Sequence, residues 1–200
     1  MVDGRLEKGE ATRERLVRAG RELFGEQGYD ATSTAAILDA AGTSRGSLYH
    51  HFATKEALFD VVVDRVVADM AAAANRAGRA AADPEASLRA GFAVWLGTAR
   101  DPAVQRIALL DAPAVLGWSR LREIDTAHVL GGLRTIMQQL ADDGRLPPVD
   151  VDVLTHMLLA AVSESALMIA TADDPDAALA AASDAVEGLL DRLITAPAGG

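Results

Sequence analysis

Apolar positions recur at helical spacing along nearly the whole chain, and no stretch alternates as a strand would, so the fold class expected is all-α. Leu16, Ala19, Leu23 and Phe24 mark the inner face of a first helix over residues 10–27. Its outer face, with Arg13, Glu14, Arg18 and Glu22, reads as solvated and ion-paired. Gly28-Tyr29-Asp30 turns the chain. Ser33 or Thr32 then caps a short helix from Thr34 to Ala41, whose apolar face is Ala35, Ile37, Leu38 and Ala41 and which Gly42 stops. Ser44 caps a second short helix, Arg45 to His51, with Leu48 and Phe52 four apart to hold it down. A longer helix follows the cap Thr54, from Lys55 to about Ala74. Its apolar side is broader than a three-helix unit can cover, so part of it should pack on what comes next.

Asn75 to Pro84 is the expected boundary, with Gly78 and Asp83-Pro84 as breakers. Further helices are expected over 86–100, 104–110 (stopped by Pro113) and 119–141, the last kinked at Gly131-Gly132. Residues 143–148 read as a loop. The helix over 150–171 is apolar almost all round between Met157 and Ala170, so more than one of its sides must be covered. Asp174-Pro175 opens a last helix, to about Ile194, with two lines. One is Ala178, Ala182, Ala185 and Leu189, and the other is Leu179, Val186, Leu190 and Leu193. One line packing inward and one on a partner predicts a homodimer through a four-helix bundle, built from the helices at 150–171 and 174–194 of each copy.

The chemistry lies in residues 34–55. Two short helices joined by a glycine-centred turn form the helix-turn-helix pattern, whose second helix enters the DNA major groove. That helix carries Arg45, Ser47, Tyr49, His50 and His51, more aromatic than a plain solvated face. Arginine bonds guanine bidentately and serine bonds several bases, so Arg45 and Ser47 are the expected base readers. Thr34, Tyr49, His51 and Lys55 are expected to grip phosphate; Ser44 and His50 belong to the same surface. Gly46 costs up to about 1 kcal/mol of helix propensity, which a close approach by DNA backbone or by the preceding helix would compensate. Lys55 puts a cation at a helix N-terminus, against the macrodipole, and a bound phosphate would relieve that conflict.

The run Ala41-Gly42-Thr43-Ser44-Arg45-Gly46-Ser47-Leu48-Tyr49-His50-His51-Phe52, followed by Lys55 and Leu58, resembles the signature of the tetracycline-repressor (TetR) family of bacterial transcriptional regulators. Upstream, Leu23, Phe24, Gly28, Tyr29, Thr32 and Ile37 fit the same pattern, so the likeness covers about residues 10–70. Thr43, where a small aliphatic is usual, and Leu38, where alanine is common, are mild departures. The resemblance implies a division into a DNA-binding domain (10–54), a connecting helix (55–74) and an effector-binding and dimerisation domain (75–200), with residues 1–9 read separately as a disordered arm. It implies a dimeric repressor released from a pseudo-palindromic double-stranded DNA operator by a small-molecule effector. Phe92, Trp95, Trp118, His128, Met137 and Met157, with Met168, are the candidates to line the effector cavity.

Composition narrows the alternatives. Cysteine is absent, which removes disulfides and thiolate metal sites and suits a reducing cytoplasm. Residues 1–9 lack the apolar core of a signal peptide, and the longest apolar stretch, roughly 14 residues, is too short to span a bilayer, so a soluble cytoplasmic protein without a membrane partner is expected. The net charge of −10 argues at first against a polyanionic partner. Only about −2 of it falls in the first 60 residues, however, and seventeen of the nineteen basic residues are arginine, suited to bidentate contacts. Asp125 with His128 and Asp152 with His156 lie at helical spacing, yet no nucleophile elbow, phosphate-cradling loop or HExxH motif accompanies them. No enzyme activity, cofactor or metal is therefore expected. The rivals are a DNA-binding protein without an effector and a helical enzyme or carrier.

Overall fold

The computed structural model describes residues 3–195, which are helical with no strand among them. The helices are α1 (Asp3–Gln27), α2 (Thr34–Ala41), α3 (Arg45–His51), α4 (Lys55–Arg79), α5 (Pro84–Thr98), α6 (Pro102–Val104), α7 (Ala112–Asp125), α8 (Gly131–Asp142), α9 (Val151–Thr171) and α10 (Pro175–Leu193). π-Helical turns occupy Gln105–Asp111 and Thr126–Leu130.

Three boundaries depart from the sequence reading. α1 starts at Asp3, which corrects the expected arm for residues 3–9; Leu6, Glu7, Lys8 and Glu10 are helix formers, and Gly9 alone does not outweigh them. Met1 and Val2 lie outside the described residues. α4 runs through Gly78 to Arg79. The missing side chain at Gly78 lets α5 come close, since a Cβ there would lie 3.2 Å from the Ser87 carbonyl oxygen, and Ser87 Oγ donates to the Gly78 carbonyl at 2.8 Å. Pro113 does not stop its helix. The preceding π turn closes with the Ala112 N–H donating to the Ile107 carbonyl, and this wider turn accommodates a residue without a donor. The break comes instead at Gly117, whose φ of 75° favours glycine. Irregularity near Gly131 likewise takes the form of the π turn just before it.

The chain divides into two compact units. The first comprises the residues up to Val66 together with Pro102–Leu121, and the second Val67–Asp101 together with the residues from Arg122. The segment 102–121, assigned by sequence to the body, therefore groups with the helix-turn-helix.

In the first unit the rings of Phe24, Tyr29 and Phe59 cluster, with centroids 4.9–5.8 Å apart, above buried Leu16, Ile37, Leu48 and Leu58. α1 and α6 touch at Gly25, where a Cβ would come within 2.9 Å of the Ala103 Cβ. Ion pairs Glu14–Arg65 (2.6 Å) and Asp60–Arg120 (2.8 Å) border this core. The Arg65 hydrogen bond holds the Glu14 carboxyl below its usual range.

In the second unit α5, α8, α9 and α10 pack around Leu88, Leu96, Met137, Leu140, Val162 and Leu190. Arg89 on α5 binds Glu85 within its own helix and Glu187 and Asp191 on α10, while Arg145 also reaches Glu85. These hydrogen bonds, Arg89's first, hold the Glu85 carboxyl low.

α9 has 21 residues and by length and composition could cross a membrane, longer than the apolar stretch read from sequence. It instead packs on α5, α8 and α10 through Leu158, Leu159, Val162, Ala166 and Ile169, as the core helix of a water-soluble domain does.

Candidate nucleic-acid interface and body cavity

The short helices of the first unit are fixed at their ends by side chains the sequence supplies. Ser33 Oγ accepts from the Ala36 N–H at 3.1 Å and opens α2. Gly42 closes it in the left-handed region (φ 57°), with its own N–H on Asp39 O and the Thr43 N–H on Leu38 O, a Schellman pattern. Thr32, the other candidate cap, is buried and serves α1, donating to the Gly28 carbonyl at 2.7 Å. Ser44 Oγ accepts from the Ser47 N–H at 3.3 Å and opens α3. Thr54 Oγ1 accepts from the Ala57 N–H at 3.0 Å and opens α4.

Burial then sorts the faces of α3. Leu48 and Phe52 are buried, while Ser44, Arg45, Gly46, Tyr49 and His50 are exposed and Ser47 and His51 half-buried. Tyr49 is 46% exposed, far more than a ring of that size retains in a core position. The Arg45 guanidinium carbon lies 6.0 Å from the Tyr49 ring centroid, so the two side chains share one side of the helix. Thr34 is half-buried at the start of α2. A Cβ built on Gly46 meets nothing nearer than Ser44 Oγ at 4.0 Å. The preceding helix therefore does not require this glycine.

Lys55 differs most from expectation. Its Nζ donates to the Tyr29 carbonyl at 2.8 Å and the Thr32 carbonyl at 3.0 Å and sits 4.0 Å from the Tyr29 ring centroid. Two carbonyl dipoles and a π face relieve the conflict with the α4 macrodipole, so no bound anion is needed there. The same turn is held from another side, because the Tyr29 N–H donates to Asp111 Oδ2 at 2.7 Å. Burial, then the nearby Glu56 and Asp30, push the Tyr29 phenol upward, keeping it neutral. Sequence reasoning missed Asp111. Its separation from Tyr29 is long, and its only local signal is an acid in an apolar segment.

The second unit contains a cavity of about 500 Å³, within the range that accepts small organic ligands. Phe92 and Trp95 line it, with Leu88, Leu133, Leu159 and Val162. Trp118 and Met157 do not; each is 63% exposed. Met137 is fully buried in the packing core, and neither it nor His128 is in the lining. Asn75 and Arg79, which the sequence pattern places in a linker, line the cavity from the last turns of α4. Among the described residues no group of acids and histidines could hold a metal ion. The acid–histidine pairing at 152 and 156 is not made, since Asp152 binds Arg134 at 2.6 Å and His156 Nδ1 contacts the Asp152 backbone carbonyl instead.

Large apolar side chains face outward on α9 and α10. Val153, Met157 and Met168 lie along α9 and Leu189 along α10, each between 44% and 63% exposed, while Val186 and Leu190 of the other α10 line are buried.

Comparison with known proteins gives matches to both parts of the chain. Residues 16–62 match the family described as "Bacterial regulatory proteins, tetR family", and residues 85–193 that described as "Tetracyclin repressor-like, C-terminal domain". Among curated relatives, the HTH-type transcriptional repressor Rv1474c of Mycobacterium tuberculosis is 29% identical, covering 91% of this chain and 94% of its own. The transposon Tn10 TetC protein of Escherichia coli is 27% identical, covering 76% and 77% respectively. Among solved structures, a TetR-family transcriptional regulator from Pectobacterium atrosepticum superposes with a TM-score of 0.83 at 31% identity, covering 96% of this chain and 98% of its own.

Proposed function

Because this chain belongs to the TetR family of DNA-binding transcriptional regulators, we propose that it works as a homodimeric repressor that leaves its operator when a small molecule fills the cavity of the second unit. The observation that carries the reading is the sorting of α3. Its apolar residues are spent inside, and Arg45, Ser47, Tyr49 and His50 are left on a short helix with capped ends. Arg45 and Ser47 read base edges; Thr34, Ser44, Tyr49 and His51 contact phosphate and sugar, and His50 borders them. Gly46 lets the DNA backbone come close. Lys55 is a positioning residue that holds the turn before α2.

Two readers are needed, since one short helix covers only a few base pairs, and a pair about 34 Å apart would bind successive major grooves on one side of the duplex. The outward apolar side chains Val153, Met157 and Met168 of α9 and Leu189 of α10 supply the pairing surface, as a four-helix bundle. α4 carries Lys55 at one end and cavity-lining Ala71, Asn75 and Arg79 at the other. A ligand preferred by one disposition of that helix and DNA preferred by another are thereby coupled with opposite sign. The name of the relative Rv1474c, a transcriptional repressor, favours repression over activation. A family of DNA-binding regulators, not of enzymes, makes a cytoplasmic non-enzyme the consistent setting.

A mobility-shift titration of the full chain on DNA from upstream of its own reading frame tests this. Two chains per pseudo-palindrome are expected, with binding that survives excess random DNA. Equal affinity for random and upstream DNA at physiological salt would contradict it.

A further inference from the structure

The chemistry of the cavity in the second unit narrows what can fill it; this step rests on the reading of that cavity as the effector site. Its body is apolar, formed by Leu88, Phe92, Leu133, Leu159 and Val162. Its polar lining is Asn75, Arg79, Ser87, Trp95, Thr135 and Gln139. Trp95 is 7% exposed, and its buried Nε1 has no hydrogen-bond partner among the described residues. The hydroxyl hydrogens of Ser87 and Thr135 are already spent on the carbonyls of Gly78 and Gly131. No aspartate or glutamate lines the cavity, and its single formally charged side chain is Arg79, which is exposed at the rim. Beside it Asn75 projects toward Gly132, where a Cβ would come within 3.0 Å of Asn75 Oδ1, so the glycine leaves room for that amide.

We propose that the effector is an organic acid with an apolar body: a monoanion whose carboxylate is received by Arg79 and Asn75 at the rim. A cation of the same shape is disfavoured inside the cavity, whose own lining holds a guanidinium and no carboxylate; Asp83, Asp142 and Asp143 line a separate cleft that shares only Ser87 and Gln139 with it. Neutral apolar molecules fit the body but forgo the charge-assisted bond.

Hydrocinnamate, hydrocinnamyl alcohol and phenylpropylamine share one phenylpropyl body and differ in the sign of their charge, so they probe the claim directly. They are titrated into the full chain carrying Trp118→Phe, in which Trp95 is the only tryptophan left to report by fluorescence. Hydrocinnamate should bind about tenfold more tightly than the alcohol, the amine should bind most weakly, and Arg79→Gln should abolish the preference for the acid while leaving the alcohol's affinity unchanged. Amine binding at least as tight as the acid's, an acid preference that survives Arg79→Gln, or no binding by any of the three would overturn the inference. DNA release is read in parallel by fluorescence anisotropy of labelled upstream DNA. Acid binding without release would leave the ligand class standing and count against the effector reading alone.

Discussion

The ammonium of Lys55 lies 2.8 Å from the carbonyl oxygen of Tyr29 and 4.0 Å from the centroid of its ring, tying the first turn of α4 to the turn before α2. A hydrogen bond from a charged donor contributes about 1.5–3 kcal/mol, and Lys55 makes a second one to Thr32. Lys55→Ala should therefore lower the stability of the chain by about 2 kcal/mol in urea unfolding. It should also weaken DNA binding while leaving the dependence of affinity on salt unchanged, because no phosphate contact is lost. A salt slope smaller by about one, with unchanged stability, would restore the phosphate role that the sequence alone suggests.

Gly46 separates stability from function. A Cβ at that position finds open space, so Gly46→Ala should raise stability by up to about 1 kcal/mol through helix propensity. Operator and random DNA should both bind more weakly, since the methyl group meets the backbone of the duplex. Unchanged DNA affinity in the more stable variant would show that no backbone approaches there.

Much of this could be read from residues close together in the chain. The caps Ser33, Ser44 and Thr54 and the left-handed Gly42 act within a few residues of themselves, which is why α2 and α3 and the start of α4 fall where the spacing puts them. The roles of Lys55, Asp111 and Trp118 depended on partners or exposure that no local window contains. Lys55 finds carbonyls more than twenty residues upstream, and Asp111 an N–H 82 residues away. The family resemblance makes Trp118 a candidate for the effector cavity, but it follows the break at Gly117 and stays exposed. Gly78 reads as a breaker in the sequence and puts Asn75 and Arg79 in a linker, whereas the close approach of α5 is what the glycine serves.

Asp125 makes stability depend on pH in the opposite sense to the ion-paired acids. Burial pushes its carboxyl above the ordinary aspartate range, so between the unfolded and folded values the native state holds more protons than the unfolded chain. Stability from this group is complete below about pH 4 and is lost as the pH rises through the folded value. Asp125→Asn should raise the urea midpoint near neutral pH, and the gain should shrink toward pH 4. A gain that grew on acidification would contradict the burial account.

The pairing surface is tested by charge. Met157 and Met168 are each 63% exposed, so Met157→Glu with Met168→Glu should cost little folding stability in the single chain. Sedimentation should show the double variant as a monomer at concentrations where the parent is a dimer, with cooperative operator binding lost. A double variant that remained dimeric would place the interface elsewhere.

The reading role of α3 is tested most directly by selecting bound sequences from a random duplex library with the parent chain and with Arg45→Ala. The parent should enrich a pseudo-palindrome. The variant should lose preference at one position in each half-site, worth about 1–3 kcal/mol, and keep the rest. An Arg45→Ala profile identical to the parent's at every position would contradict the assignment of base reading to this helix.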